Sequence, residues 1–389
     1  MYVDSYVFAQ VMERLPRRAF DAAVDRYNGE RYTKRLTCRD QFLAMAFGQL
    51  AYRESLRDVV VCLSSHREKL YHLGFRAAVS LSAFARANEK RDWRIWRDLA
   101  LHLIKEARML YLDEPSIASD ISGACYAVDS TSIDMCLSLF PWAPYKTDQG
   151  AVKLHLGLDI RGSIPAFFDM TSGKVNDIRF LDSIAFEPGA FYILDRGYVD
   201  FGRLSAIHKT GAYFVTRAKD NTLLARRYSS KAGKTNGILC DQIVFLTGKG
   251  TKEKYPGTFR RIKYRDDEGR LYVFLTNNIT VSALSVALLY KNRWQIELFF
   301  KWIKQHLKIK TFWGRSENAV KSQICIALST YLIVAILKKK LHVNRDLYEI
   351  LQILSVSLFD KNGLMELFSS VLIQKDVKCL QNTAQLFDF

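Results

Sequence analysis

The sequence has no long apolar run, no secretory start and no ordered cysteine pattern. Its longest apolar run, residues 324–337, is shorter than the roughly 20 residues that a membrane-spanning helix needs, so it indicates a buried core helix. The N-terminus lacks the charged start and cleavage site of a secretory signal. The seven cysteines are scattered without paired spacing, which argues against a zinc ribbon or a disulfide framework. We therefore expect the cysteines to be small apolar residues in a reducing compartment.

Acidic residues are scarce relative to basic ones. The 389 residues include 57 Lys and Arg but only 40 Asp and Glu, which leaves a formal charge of +17 and a pI near 9.5. Such an excess is typical of proteins that bind nucleic acid or an anionic membrane surface. No basic amphipathic terminus suggests membrane binding, so we expect nucleic acid and no membrane among the partners. The hydrophobic fraction of 49% indicates a globular chain with two or three domains.

The predicted elements divide the chain into three regions. Residues 1–115 are helical, residues 120–315 alternate short strands with helices, and residues 316–389 are helical again. Within the second region, residues 219–270 predict a β-rich insertion. Helices are predicted at residues 6–14, 39–52 (capped by Thr37), 56–63, 83–111, 176–185, 201–209, 319–340, 345–359 and 364–373, and strands at 124–129, 152–160, 163–170, 191–195, 212–216 and 271–276.

Strands that alternate with helices predict an α/β fold with a mixed sheet and helices on its faces. The first three strands predict an antiparallel meander. Two strands end in carboxylates, Asp129 and Asp195. Because ligands bind at the carboxyl ends of strands in such sheets, we expect these two acids to meet at one edge. For either acid alone, a turn cap is the alternative interpretation.

A third acid lies in residues 290–310, which contain neither Pro nor Gly and predict one continuous helix. Its polar residues fall within an arc of roughly 80° and apolar residues cover most of the remainder, so the helix is expected to be buried on most sides. One carboxylate among several cations then lines a cleft suited to a polyanion, and a solvated face on a core helix is the alternative. The polar residues are Tyr290, Arg293, Glu297, Lys301, Lys304 and Lys308.

Asp129, Asp195 and Glu297 are residue types that metal-dependent phosphoryl transfer on DNA requires. Two Mg²⁺ ions about 4 Å apart activate the attacking water or 3′-hydroxyl and stabilise the leaving oxygen. Mg²⁺ prefers oxygen ligands and also uses waters and substrate phosphates, so three carboxylates suffice where zinc would need His and Cys. We predict that these three acids are catalytic and hold two Mg²⁺ ions, while nearby Arg and Lys residues hold the DNA.

A second basic surface is predicted in the helix at residues 83–111. Its cations share one face and apolar residues supply packing contacts, as in a helix that lies along DNA phosphates. A solvated face explains the same pattern. The cations of this predicted basic stripe are Arg86, Lys90, Arg94 and Arg97.

Several motifs resemble those of the Asp-Asp-Glu transposases of bacterial insertion sequences, in particular the family named after insertion sequence 4. That family has Tyr, two residues, Arg, three residues, Glu, six residues and Lys on a helix. Tyr290, Arg293, Glu297 and Lys304 match all four positions. The other similar motifs are AVDSTSID around Asp129, YILDRGY around Asp195, FLTNN at residues 274–278, and, as in the family's helical N-terminal domain, SLRD at 55–58, HLGF at 72–75 and SLSAFARANEKRDW at 80–93.

The resemblance implies a ribonuclease-H-like core, with the first Asp on the first strand, the second on the fourth, and the Glu on a helix after a β-rich insertion. It also implies cut-and-paste transposition, in which a nick frees a 3′-hydroxyl, a hairpin forms and reopens, and the 3′ end joins target DNA. The implied cofactor is Mg²⁺, with Mn²⁺ able to substitute. The implied partners are double-stranded terminal repeats, target DNA and a second copy of the chain, at the nucleoid in a bacterial cytoplasm.

Several roles stay open. By position, Trp294 is the aromatic residue that would hold a base flipped out of the hairpin, and a core tryptophan is the alternative. Relatives often have His where this chain has Asn176, before the acid Asp177. The roles of Asp177, Asp134 and the C-terminal tail are therefore undecided. The alternatives to a transposase are a related nuclease without strand transfer and an inactive DNA-binding regulator, and the intact acid trio argues against the regulator.

Overall fold

The computed structural model describes residues 5–147, 149–230, 236–306 and 312–369. The N-terminal region is helical, as predicted, although sequence patterns missed its second helix. Thr37 caps the third helix in a capping box, because its hydroxyl accepts the Asp40 N–H while the Asp40 carboxylate accepts the Thr37 N–H. The helices are α1 (Val7–Met12), α2 (Arg17–Arg26), α3 (Cys38–Leu50), α4 (Leu56–Ser65), α5 (Leu81–Lys90) and α6 (Arg94–Leu110).

The single helix predicted at residues 83–111 is wrong, because the chain breaks between α5 and α6. Arg91 ends α5 in an extended conformation, with ψ of 132°. Its guanidinium bonds the loop that precedes α3, which turns the chain away from the helix axis. The predicted basic stripe is therefore not on one helix face. Arg86 and Lys90 lie on α5, whereas Arg94 and Arg97 lie on α6.

One mixed sheet occupies the centre of the described chain. Its first part is the antiparallel meander of β1 (Cys125–Cys136), β3 (Gln149–Asp159) and β4 (Ile164–Ser172), with the short β2 (Pro144–Lys146) paired to β3. β5 (Phe191–Leu194) and β6 (Tyr213–Arg217) add to β1 in parallel, joined by α7 (Phe201–Lys209). This is the ribonuclease-H-like arrangement that the resemblance implies, and the predicted fold class is confirmed.

β1 is longer than predicted, so Asp129 lies within the strand rather than at its end. Antiparallel pairing with β3 continues as far as Cys136 and keeps β1 extended. The parallel pairing with β5, however, stops at Val128 and Leu194. Asp129 and Asp195 are the next residues on these two strands. The end of the parallel ladder therefore brings the two acids to the same place.

The β-rich insertion predicted at residues 219–270 extends the central sheet. It comprises β7 (Leu224–Ser230), β8 (Ile238–Leu246), the short helix α8 (Thr251–Lys254) and β9 (Phe259–Arg265), and β9 pairs with β10 (Leu271–Thr276). Arg260 joins the insertion to the core, since it pairs with Asp241 at 2.6 Å and donates to the carbonyl of Val281 at 2.5 Å. The strand order is β2-β3-β1-β5-β6-β10-β9-β8-β7.

The continuous helix predicted at residues 290–310 is also wrong. α9 (Ala283–Lys291) ends at Asn292, whose amide donates to the carbonyl of Leu288 at 2.9 Å, and α10 (Trp294–His306) begins after Arg293. An Asn side chain bonded to the preceding turn competes with the helix backbone. α10 is less buried than predicted, because Trp294 is 48% exposed and Leu298 is 42% exposed. Residues 307–310 lie outside the described residues.

The apolar run at residues 324–337 lies in α11 (Glu317–Lys340), a buried core helix as predicted. By length and composition α11 could cross a membrane, but 94% of its 18-residue apolar window is buried inside the protein. One apolar cluster joins the N-terminal helices to α10, α11, α12 (Leu347–Ser357), α13 (Leu364–Ser369) and one face of the sheet, and a second lies beneath α7. The predicted residues 370–373 fall outside the described chain, and the predicted domain boundaries stay predictions.

Candidate active site

Two neighbouring strands supply the first two acids. Asp129 lies on β1, and its Oδ1 accepts the N–H of Ser130 at 2.8 Å. Asp195 follows β5 and caps a short turn, since its Oδ2 accepts the N–H of Gly197 at 3.4 Å. Its other oxygen accepts a hydrogen bond from the hydroxyl of Tyr290 at 3.3 Å. Asp195 is therefore a turn cap and also part of a contact across the site.

Arg293 connects the third acid to the first. It lies in the turn between α9 and α10, and its side chain is 15% exposed. One guanidinium nitrogen donates to Oδ2 of Asp129 at 3.3 Å, and another donates to Oε1 of Glu297. Tyr290, one turn earlier, contacts Asp195. The segment that carries the Tyr, Arg and Glu pattern therefore brings the three acids together.

Glu297 and Asp195 lie close enough to Asp129 to affect its protonation. Burial, followed by the nearby carboxylates of Glu297 and Asp195, raises the pKa of Asp129 to about 6, although the Ser130 N–H and Arg293 oppose the rise. Burial lowers the pKa of Arg293, but its acidic neighbours, first Glu297, outweigh burial and the net direction is upward. Arg293 therefore stays charged. A carboxyl group such as that of Asp129, whose pKa is raised by burial and by neighbouring charges, is typical of catalytic and metal-binding sites.

The donor atoms suit a divalent cation, but Arg293 stands among them. Within the described ranges, no group of three His, Cys, Asp or Glu side chains is placed to hold a metal ion. At this site the guanidinium of Arg293 bridges Asp129 and Glu297. Carboxylate oxygens are nevertheless the hard ligands that Mg²⁺ prefers, and Arg293 contacts only two of the three acids. An ion bound by all three acids would take over a position that Arg293 fills.

Comparison with known proteins places the chain in a family. The family described as Transposase DDE domain matches residues 122–333, more than half of the chain. The chain belongs to the DDE transposases. Residues 4–76 match a second family, described as a domain of unknown function, DUF4372. The resemblance read from the sequence motifs is therefore confirmed.

Three relatives are also named as transposases. A protein of Sinorhizobium fredii is 35% identical over 241 residues, which are 61% of this chain and 67% of its own. A Geobacillus stearothermophilus protein, named for insertion sequence element IS5377, is 32% identical over 209 residues, 53% of this chain and 55% of its own. A Synechocystis protein, named for element IS4SA, is 26% identical over 282 residues, 70% of this chain and 77% of its own.

A solved structure is similar over most of the chain at low identity. It is titled a cryo-EM structure of the piggyBac transposase synaptic complex with hairpin DNA. The similarity covers 97% of this chain and 82% of that one, with a TM-score of 0.44 and 11% identity.

The other residues predicted on α10 of this transposase differ in their surroundings. Lys301 is exposed. Lys304 donates to the carbonyl of Ser132 at 2.7 Å, so it links α10 to the strand that carries Asp129. Trp294 is not a core residue, since it is 48% exposed.

The cations of the predicted basic stripe lie on two helices, and they differ in whether an acidic side chain is paired with them. Arg86 and Lys90 are exposed on α5. Arg94 is paired with Asp92, at 2.6 Å for the shortest contact, and its guanidinium lies 4.7 Å from the ring centroid of Tyr27. An arginine that already has a carboxylate partner binds a phosphate only by releasing that partner. The prediction that Arg86, Lys90 and Arg94 bind DNA stays a prediction.

The two acids left open by sequence lie away from the contacts made by Arg293. Asp177 pairs with Lys153, 2.9 Å from its ammonium nitrogen. Asn176 caps the turn that contains Asp177, since its side chain accepts the N–H of Ile178 at 3.2 Å. Asp134 is exposed near the end of β1. These contacts are structural interactions of the kind found at turns and strand ends.

Sequence reasoning missed Tyr198, which is buried behind the acids with 4% exposure. Burial, followed by the charge of Asp129, raises its pKa, and Asp195 contributes in the same direction. The phenol therefore remains a hydrogen-bond donor beside the acids. Tyr198 is the final residue of the motif YILDRGY. The motif therefore contained this residue, but the sequence did not show that its side chain lies behind the acids.

A cavity of about 380 Å³ opens beside Arg293, between the β9–β10 hairpin and α9. One wall is aromatic, since the rings of Tyr272 and Phe274 stack with centroids 5.9 Å apart and Phe274 lies 5.0 Å from Tyr290. Charged residues line the rest, among them the acids of residues 266–268. Trp294 lines this cavity and also a second one of about 690 Å³. Flat aromatic walls next to a cation suit a nucleic-acid base.

Proposed function

We propose that this transposase excises its own insertion sequence and joins it to target DNA, with Asp129, Asp195 and Glu297 as catalytic residues. The observation that carries the proposal is that Asp129 and Asp195 follow the end of the β1–β5 ladder side by side and that Arg293 joins Asp129 to Glu297. The formal charge of +17 supports a DNA substrate. Phosphoryl transfer at a DNA phosphate is the chemistry that clustered carboxylates in a basic protein support best.

We infer Mg²⁺ as the cofactor, with Mn²⁺ able to substitute. Ions bound to the three acids would supply an activated nucleophile at neutral pH and stabilise charge on the phosphate. Before ions bind, Arg293 offsets the repulsion between Asp129 and Glu297 and holds them in one arrangement. It also provides a cation where negative charge develops during phosphoryl transfer.

The proposal includes a hairpin intermediate. After the first nick, the DNA end must be held so that its 3′-hydroxyl attacks the opposite strand and does not diffuse away. Lys301 is an exposed cation for a phosphate. The exposed ring of Trp294 and the aromatic cavity beside it suit a base that has left the duplex stack. Tyr290 lies between this cavity and Asp195, so a base held there would be close to the acids.

The proposed partners are the double-stranded ends of the element, target DNA and a second copy of the chain. Two ends must be cut and joined together, and two copies would supply one active site for each end. The proposed location is the nucleoid of a bacterial cytoplasm, where element and target DNA are present.

The experiment combines the purified protein with labelled DNA that carries the element ends and Mg²⁺ or Mn²⁺. Denaturing gels should show nicked, hairpin and joined products. Asp129→Asn, Asp195→Asn and Glu297→Gln should each abolish the products and retain end binding, because metal ligands serve chemistry more than docking. Asp134→Asn is the matched control, since Asp134 is an exposed acid on the same strand as Asp129.

Each contrary result identifies a different error. Product from one of the three variants would remove that residue from the active site. Nicks alone from the wild-type protein would favour the nuclease alternative. Binding without any cleavage would favour the inactive regulator.

A further inference from the structure

The loop between α2 and α3 presents an exposed aromatic residue in an unfavourable backbone conformation. Tyr32 is 85% exposed. Its φ of +63° lies in the left-handed region, which most residues other than Gly, Asn and Asp avoid. An exposed tyrosine gains no burial energy that offsets this strain. Backbone strain that persists at an exposed residue motivates a functional hypothesis when other features of the surface support it.

Three cations lie close to Tyr32 in the sequence. Arg31, Lys34 and Arg35 are all exposed, and in the part of the chain that the structure describes none of them has an acidic partner. Arg31 lies 5.0 Å from the Tyr32 ring centroid and donates to its hydroxyl at 3.1 Å. The one acid of the loop, Glu30, is engaged, since it accepts the N–H of Cys38 at 2.5 Å. We call residues 29–37 the Tyr32 loop.

A single buried arginine braces the Tyr32 loop from beneath. The side chain of Arg91 is 9% exposed, and its guanidinium donates to both ends and the middle of the loop. A loop tied at several points to one planar group is pre-organised, so little entropy is lost when a ligand binds it. The acceptors are the carbonyls of Gly29 (3.3 Å), Leu36 and Thr37 (2.9 Å), the hydroxyl of Thr33 (3.2 Å) and the amide oxygen of Gln41 (2.9 Å).

Arg91 also connects the loop to the catalytic sheet. Its carbonyl accepts the side-chain amide of Asn318, at the start of α11, at 2.6 Å. Three residues before Asn318, the carbonyl of Arg315 accepts the indole N–H of Trp142 at 2.7 Å. Trp142 lies in the connection from β1, the strand of Asp129, to β2. A molecule bound to the Tyr32 loop is therefore held in a defined position relative to the sheet.

We propose that the Tyr32 loop is a second, non-catalytic contact with double-stranded DNA. Arg31, Lys34 and Arg35 bind phosphates, and Tyr32 lies against the duplex between them. Unpaired cations with an interleaved aromatic residue are the chemistry that recognises a nucleic-acid backbone and its bases. The loop lies in residues 4–76, which match a domain of unknown function. The proposal rests on the proposed function, because the DNA bound here is the element end that the acids cut.

The test measures binding of labelled element-end duplex by fluorescence anisotropy over a series of salt concentrations. In the triple variant Arg31→Gln, Lys34→Gln, Arg35→Gln, we expect at least tenfold weaker binding. We also expect the slope of log affinity against log salt to fall by about 0.9 for each phosphate that the variant no longer binds. The matched control is Lys249→Gln, Lys252→Gln, Lys254→Gln, which removes three exposed cations from the insertion. An equally weakened affinity in both triple variants would overturn the proposal, since net charge alone would then explain it.

Tyr32→Gly separates binding from folding. Glycine accepts positive φ without strain, so this variant should resist urea at least as well as the wild-type protein and yet bind the duplex more weakly, with an unchanged salt slope. Wild-type affinity in this variant and in the Tyr32 loop triple variant would overturn the proposal.

The same samples distinguish this proposal from the proposed function. Wild-type protein that cuts the ends, together with a Tyr32 loop variant that binds normally, would refute only the second DNA contact. Wild-type protein that binds through the loop and never cuts would refute only the proposed function.

Discussion

Replacing Asp129 with Asn should stabilise the folded transposase near neutral pH in the absence of divalent cations, although it should abolish cleavage. Asp129 is half-buried beside Glu297, Asp195 and Arg293. The balance of these neighbours with burial disfavours its charged form. Asn has nearly the same shape as the protonated acid and carries no charge. The variant therefore removes an unfavourable charge from the folded protein and leaves the unfolded chain almost unchanged.

The pKa gives the magnitude and the sign. Asp129 has a pKa of about 6 in the folded protein against an ordinary value of 3.8, a rise that corresponds to ~3 kcal/mol at ~1.36 kcal/mol per unit. Because the pKa is raised in the folded protein, the stability that protonated Asp129 contributes is fully present below its pKa in the unfolded chain. That contribution is lost as the pH rises through about 6. We expect a gain of up to about 3 kcal/mol for Asp129→Asn, because the raised pKa already includes the attraction of Arg293 for the carboxylate.

Urea denaturation followed by tryptophan fluorescence measures the free energy of unfolding of both proteins. The advantage of Asp129→Asn should be complete at about pH 8, smaller near pH 6 and absent near pH 4. Asp134→Asn should show no such dependence, since Asp134 is exposed. Saturating Mg²⁺ should reduce the advantage, because an ion that binds only the folded wild-type site stabilises it. Equal stability at pH 8, or an advantage independent of pH, would refute the reasoning.

Three further substitutions test the scaffold around the site. Lys304→Ala removes a charged hydrogen bond of 2.7 Å to β1. Loss of about 1.5–3 kcal/mol should slow hairpin formation or opening roughly ten- to a hundredfold. Joined product at the wild-type rate on denaturing gels would exclude this role. Arg260→Met removes the partner of Asp241, whose side chain is only 14% exposed, and should destabilise the insertion by about 3–5 kcal/mol. Hydrogen exchange in β8 and β9 should then be faster, and wild-type protection there would contradict the prediction. Gly157→Ala places a Cβ 2.1 Å from the Phe167 ring and should cost about 1–3 kcal/mol in urea denaturation, whereas an unchanged midpoint would mean that the ring moves aside freely.

Elements with a local signal were predictable from sequence. The predicted helix at residues 201–209 and the predicted strand at 271–276 match α7 and β10 residue for residue. Thr37 caps α3 as predicted, because a capping box involves only residues a single turn apart. The candidate acids were also visible, since the spacing of Tyr290, Arg293 and Glu297 is a linear pattern.

Both wrong helix predictions concern breaks beside an arginine that bonds a remote partner, although at the second break the side chain of Asn292 also bonds the nearby carbonyl of Leu288. Residues 83–111 and 290–310 have helical periodicity throughout. Arg91 leaves the helix path to bond the loop that ends at Thr37, 54 residues earlier. Arg293 lies in a turn and bonds Asp129, 164 residues earlier. Periodicity describes neighbours along the chain and contains no information about such bonds.

By itself the sequence determined which residue types are available: three acids at definable positions, an excess of cations, and the strands and helices that carry them. The tertiary structure decided which of them meet. The strand register placed Asp129 beside Asp195, the α9–α10 break put Arg293 between two acids, and packing left Trp294 and Tyr32 exposed. These outcomes depend on contacts between residues far apart in the chain, because register and burial are properties of paired and packed elements rather than of any one segment.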